Sequence, residues 1–144
     1  MLIDDGSVKM NFSRQRVAWH SPCELGRGSG IYNEPKDILK HIALLQPSAF
    51  ENENSLCCGG SLANMKINSA QKNIIARQAA AELTKSNPDV LATACPLCKK
   101  TFTAATETKV RDIAEIVADS LAEPKAESHP HHKAIPVRQM ARYQ

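Results

Sequence analysis

Five cysteines, at positions 23, 57, 58, 95 and 98, are the residues whose type and spacing can do inorganic chemistry in this chain. They fall in Ser21-Pro22-Cys23-Glu24-Leu25-Gly26-Arg27, in Cys57-Cys58-Gly59-Gly60 and in Cys95-Pro96-Leu97-Cys98. A cysteine kept for packing acts as a small hydrophobe and sits inside apolar runs. These five sit beside glycine and proline, where backbone can wrap around a group and present sulfur to it. Thiolates are soft ligands and select zinc, copper(I) or iron–sulfur clusters. A structural zinc takes four protein ligands, usually from two close pairs. Here there is one Cys-x-x-Cys, one adjacent pair and one lone cysteine. The Cβ vectors of neighbouring residues diverge, so Cys57-Cys58 suits an object with several irons better than one tetrahedral ion. Five thiols also exceed what one zinc uses. The count and the adjacency favour a cluster, with zinc as the alternative. A thiol–disulfide enzyme built on Cys95 and Cys98 would exploit the acidity of a Cys-x-x-Cys thiol, but leaves three cysteines without a role.

The elements that must carry these residues are legible from periodicity and breakers. Arg16-Val17-Ala18-Trp19-His20 reads as a buried strand that Ser21-Pro22 ends, because proline lacks the donor a central strand needs. Cys23 then lies just past its carboxyl end. Gly26-Arg27-Gly28-Ser29-Gly30 reads as a loose loop; the third glycine is misplaced for G-x-G-x-x-G, since Ile31 stands there. Pro35 suits the first turn of a helix whose buried face is Ile38, Leu39, Ile42 and Leu45, closed by Pro47. Ser55-Leu56 reads as a very short extended piece. A long helix from about Ser69 to Lys85 shows Ile75, Ala79 and Leu83 at four-residue steps, and Asn87-Pro88-Asp89 stops it. Val90-Leu91-Ala92-Thr93-Ala94 is a second buried strand delivering Cys95, and Pro96 opens a helix to about Thr106. A last helix begins at Asp112, with Glu115 completing a capping box and Ile113, Ile116, Val117 and Leu121 on its apolar face.

Strands alternating with helices predict an α/β fold, a small parallel sheet flanked by helices. Sites in such sheets form beyond the carboxyl ends of the strands, where Cys23 and Cys95 both arrive. Residues 1–14 read as a lead-in or linker, 15–123 as the cysteine-rich domain, and 124–144 as a disordered tail, being polar, proline-containing and aperiodic. His129, His131 and His132 lie in that tail and are expected to have no function.

At 144 residues the chain suits one domain with a real core, and aromatics at 4% mean that core is aliphatic. A formal charge of +3, spread among acidic residues, argues against a nucleic-acid surface. No stretch approaches the roughly 20 apolar residues that span a bilayer, so no direct membrane insertion is expected. An odd cysteine count without a signal-peptide pattern points to a reducing compartment, the cytoplasm, with any membrane association peripheral and through partners.

These segments resemble the cysteine-rich, or CCG, domain of heterodisulfide reductase and related iron–sulfur oxidoreductase subunits. That pattern is a lone Cys, a gap, Cys-Cys-Gly, a similar gap and Cys-x-x-Cys; the gaps here are residues 24–56 and 59–94, or 33 and 36 residues. Trp19-His20-Ser21-Pro22-Cys23, Ile31-Tyr32-Asn33-Glu34-Pro35 and Ala92-Thr93-Ala94-Cys95-Pro96-Leu97-Cys98 match as well, so the likeness covers about 15–121. It implies a noncubane [4Fe–4S] cluster held by Cys23, Cys57, Cys58, Cys95 and Cys98, and zinc in some domains of this type. It also implies work inside a larger oxidoreductase, either disulfide cleavage or electron relay, and no activity alone. Partners would be other redox subunits, a second cysteine-rich or ferredoxin-like domain, or a flavoprotein. Gly59 and Gly60 would let backbone N–H groups approach cluster sulfurs and tune the potential. Arg27 would neutralise an anionic cluster or be an ordinary solvated arginine. His20 would be either close to the centre or a hydrogen-bonded strand-end histidine. Two departures stand out: Gly60-Ser61-Leu62 where the family often has further glycines, and a single copy with no cubane motif. The second suggests a piece of a longer polypeptide or a split subunit.

Overall fold

The computed structural model describes residues 5–60 and 66–121. The tail from 124, its histidines and the Ser61-Leu62 departure lie outside them. Four strands form one parallel sheet in the order β2-β1-β3-β4: β1 Arg16–His20, β2 Leu44–Leu45, β3 Val90–Thr93 and β4 Lys109–Asp112. The helices are α1 Glu34–Ile42, α2 Ser69–Leu83, α3 Pro96–Thr103 and α4 Ile113–Ser120. The fold is therefore α/β, a small parallel sheet flanked by helices. No helix among the described residues is long and apolar enough to cross a membrane.

Side-chain alternation divides the central strands between two faces. Val17 and Trp19 of β1 and Val90 and Ala92 of β3 pack with Leu39 and Ile42 of α1 and Ile116 of α4. Ala18 and Leu91 point the other way, onto Ala79, Ala80 and Leu83 of α2 and Phe102 of α3, together with Cys58 and Cys98. Leu39, Leu91 and Phe102 are wholly buried, each contributing about 1.5–3 kcal/mol of apolar burial.

Two strands differ from the sequence expectation. Leu45, expected on the face of α1, lies in β2: Ala43 turns extended (φ −154°, ψ 172°), and Leu44 and Leu45 pair with Arg16 and Val17. Helical and extended spacing coincide over so few residues, and the sheet edge decides. β4 gives no apolar run because Val110 is its only buried residue, as befits an edge strand. α2 and α3 end at Leu83 and Thr103 rather than near 85 and 106. On α2 the buried residues are Ala76, Ala79, Ala80 and Leu83, while Ile75 is half-buried; on α4 they are Ile116 and Ser120, and Leu121 is exposed. The capping box of α4 is present, with Asp112 accepting from Ala114 N–H and Glu115 accepting from Asp112 N–H. Met10 bridges Leu121, and Asn11 and Ser13 donate backbone N–H to Ser120 and Ile42 carbonyls, so residues 10–13 are tied to the body of the fold.

Candidate metal centre

β1 and β3 run parallel with His20 opposite Thr93, so the chain leaves both strands at the same carboxyl end of the sheet. Cys23 follows the end of β1 by three residues and Cys95 follows the end of β3 by two. The expected loose loop after Cys23 is instead an ordered π-helical turn over Glu24–Gly28, with Gly28 N–H on the Cys23 carbonyl at 2.9 Å. Its order comes from packing: Gly26 is buried so tightly that a Cβ there would lie 2.8 Å from the Tyr32 ring. Cys95 caps α3, its sulfur accepting the Cys98 N–H at 3.5 Å, and Pro96 follows at the first turn.

The Cys57-Cys58 segment is brought to the end of β1 by His20, whose Nε2 lies 2.9 Å from the Leu56 carbonyl. The Cys58 thiol meets the Cys98 thiol at 3.3 Å, both buried. Gly59 N–H donates to Cys57 Sγ at 3.3 Å and Gly60 N–H to Cys58 Sγ at 3.4 Å. Gly59 needs its hydrogen side chain, since φ is +80° and a Cβ would stand 3.1 Å from the Lys72 carbonyl. At Gly60 a Cβ would lie 2.7 Å from Thr101 Oγ1 and 3.6 Å from Cys58 Sγ, so a larger residue would fill the ground beside the sulfur. These N–H groups thus reach the cysteine sulfurs themselves.

None of the five cysteines is in a disulfide; Cys58 and Cys98 are buried and Cys23, Cys57 and Cys95 half-buried. Hydrogen bonding to Cys58 and burial push the Cys57 thiol well above its usual range. Cys58 is pushed up to about 11: the bond with Cys57 lowers it, but the bond with Cys98 and burial outweigh that. Both are therefore protonated near neutrality unless a cation displaces the protons. The thiol of Cys58 meets those of Cys57 and Cys98, and Cys95 joins them through the Cys98 backbone N–H; the contacts among the described residues do not include Cys23. No group of three or more His, Cys, Asp or Glu among the described residues is arranged to hold a metal ion. What suits a metal group here is the donor chemistry, several soft thiols with backbone N–H groups turned onto their sulfurs.

His20 is 1% exposed, with Nε2 at 2.9 Å from the Leu56 carbonyl and Nδ1 at 3.0 Å from Thr93 Oγ1. Burial lowers its pKa to about 4, the Leu56 bond working against this and the Arg27 charge with it. It is hydrogen-bonded at the strand end, and its Leu56 bond lies one residue before Cys57. Arg27 is exposed, yet its Nη1 donates to the Ser55 carbonyl at 2.8 Å and to Ser55 Oγ at 3.0 Å, and its charge works to lower the Cys57 thiol against the larger causes that raise it. The sequence places Thr93 in a strand and Ser55-Leu56 in an extended piece but gives none of the three a role at the site. For Thr93 a signal existed, a hydroxyl in an otherwise apolar strand two residues before Cys95.

An α/β domain that gathers thiols from separated segments is a cysteine-rich module. The chain belongs to the cysteine-rich (CCG) domain family, which matches residues 17–103. It is 34% identical over 101 residues to an uncharacterized iron-sulfur protein of Methanocaldococcus jannaschii, a match covering 69% of this chain and 20% of that one. Against a subunit of the fumarate reductase (CoM/CoB) of Methanothermobacter marburgensis it is 35% identical over 98 residues, covering 67% and 19%. Against a subunit of the dihydromethanophenazine:CoB–CoM heterodisulfide reductase of Methanosarcina barkeri it is 27% identical over 113 residues, covering 73% and 27%. The chain thus spans only 19–27% of the length of these relatives. No solved structure matches it.

Proposed function

We propose that this chain is an iron–sulfur electron-transfer domain or subunit of a larger, heterodisulfide-reductase-like oxidoreductase, carrying a noncubane [4Fe–4S] cluster. The observation that carries the reading is the convergence of separated thiols, with Cys58 and Cys98 Sγ 3.3 Å apart and beside Cys57 and Cys95. Cys23, Cys57, Cys58, Cys95 and Cys98 would hold the cluster. Such a cluster supplies a one-electron carrier whose potential responds to hydrogen bonds on its sulfur ligands. The chain's own part is to bring thiols from separated segments together and to turn the Gly59 and Gly60 N–H groups onto the sulfurs of Cys57 and Cys58. The names of the relatives, an iron-sulfur protein and subunits of two reductases, support the class. Partners are other redox subunits or domains, a flavoprotein among them, in the reducing cytoplasm, and the domain is inactive alone.

The test is anaerobic purification with iron, acid-labile sulfide and zinc quantified together, and electron paramagnetic resonance on the same sample. Brown protein with matched iron and sulfide is expected. Colourless protein with stoichiometric zinc would establish a zinc-binding interaction module instead, and activity in a chelated sample would favour a thiol–disulfide enzyme.

A further inference from the structure

The cysteine segments meet on one imidazole. His20 ends β1, three residues before Cys23. Its Nε2 stands 2.9 Å from the carbonyl of Leu56, the residue before Cys57. Its Nδ1 stands 3.0 Å from the hydroxyl of Thr93, which ends β3 two residues before Cys95. Its ring edge packs on Phe102 of α3, the helix that carries Cys98, at 4.7 Å between centroids and 75° between planes. A carbonyl only accepts, so Nε2 carries the hydrogen; a wholly buried ring stays neutral, so Nδ1 offers its lone pair to the Thr93 hydroxyl. The two bonds therefore run in one sense, from Thr93 O–H to Nδ1 and from Nε2–H to the Leu56 carbonyl.

We propose that His20 is the positioning residue of the thiol centre, setting where Cys57 and Cys58 stand relative to the segments that bear Cys23, Cys95 and Cys98. Leu56 belongs to no helix or strand; His20 holds its carbonyl, and Arg27 holds the carbonyl of Ser55 beside it at 2.8 Å. A shift of the Leu56 carbonyl passes straight into the Cys57 backbone, because the peptide bond between them is rigid. The consequence for a metal group rests on the proposed function; the bridge is a property of the polypeptide alone.

The experiment uses His20→Gln, whose amide nitrogen falls where Nε2 stood, against His20→Asn and His20→Phe, which do not reach Leu56 with a donor. In one arm, protein loaded with ferrous iron and sulfide without oxygen is challenged with an iron chelator. In the other, metal-free protein meets excess diamide, and the Cys58–Cys98 disulfide is followed by peptide mass spectrometry. Diamide is reduced to the hydrazine as the two thiols lose two electrons and two protons. His20→Gln keeps the Leu56 bond and loses the Thr93 one, so in both arms it should lie between the unaltered chain and the other two variants. His20→Asn and His20→Phe should release iron about tenfold faster, the size of effect usual for residues that orient ligands, and form the disulfide more slowly. Gln and Asn behaving alike, or Phe keeping the disulfide rate, would overturn the proposal. If the unaltered chain takes up no iron, the iron reading falls by itself and the diamide arm still decides the role of His20. Should a His20 variant not fold, Thr93→Val keeps the ring and removes its hydroxyl partner: a slowed disulfide supports the bridge, and an unchanged rate overturns it.

Discussion

The two faces of the sheet use opposite chemistry. The α1–α4 face is closed by Val17, Trp19, Leu39, Ile42, Val90 and Ile116, all apolar or aromatic, and contains no cysteine. The α2–α3 face combines small alanines and Phe102 with Cys58 and Cys98, while buried His20 packs on Phe102 and bonds to Thr93. One face is a hydrophobic core of the ordinary kind; the other gives up apolar volume to sulfur and hydrogen-bonded groups. The division separates stability from chemistry: the first face can hold the sheet together while the second changes protonation or ligation.

That division can be broken first at Leu39. Leu39→Ala, at a wholly buried site, should lower the unfolding free energy of metal-free protein by about 2–5 kcal/mol in urea titrations. It should leave the diamide-driven Cys58–Cys98 rate under native conditions unchanged. A changed rate would mean that the faces are coupled.

The second test is pH. His20 titrates at about 4 in the fold against 6.5 in its ordinary state, with the Arg27 charge opposing protonation alongside burial. Below 6.5 the unfolded chain takes up a proton that the fold refuses. Stability is therefore full above pH 6.5 and falls as pH drops toward 4, by roughly 3 kcal/mol for that shift. His20→Phe should remove this part of the slope in denaturation midpoints between pH 4 and 7; an unchanged slope would deny the buried neutral ring.

Gly60→Ala comes next. The new Cβ would meet Thr101 Oγ1 at 2.7 Å, and overpacking of this kind costs about 1–3 kcal/mol. Adding Thr101→Ala should restore most of the lost stability, as read by thermal unfolding; no rescue would place the strain elsewhere. Smallest for the fold is Cys57→Ser, which should change metal-free stability by less than about 1 kcal/mol, since a half-buried thiol is replaced by a hydroxyl of similar size. Iron per chain should nevertheless fall sharply in the same protein. Full iron retention would remove Cys57 from the proposed ligand set.

The two strands built from apolar runs, 16–20 and 90–93, were readable because burial on both faces demands consecutive hydrophobic residues. β2 and β4 were not: two residues and one buried valine leave no pattern, and pairing to a neighbour is what makes them strands. Proline at 35 and 96 and the Asp112–Glu115 box announced three helix starts correctly, because caps act through residues close in sequence. Ordering of the turn after Cys23 was illegible, since it depends on Tyr32 packing against Gly26.

By itself, the order of residues determined the α/β class, the set of thiols and the family, because periodicity, breakers and spacing are local or one-dimensional signals. Only the tertiary structure decided which thiols touch, that Arg27 and His20 hold the Ser55-Leu56 backbone, and that Cys58 and Cys98 share one face of the sheet. Those facts depend on residues separated by 28 to 73 positions meeting in space. Such meetings are set by strand register and helix packing, which no short stretch of sequence encodes.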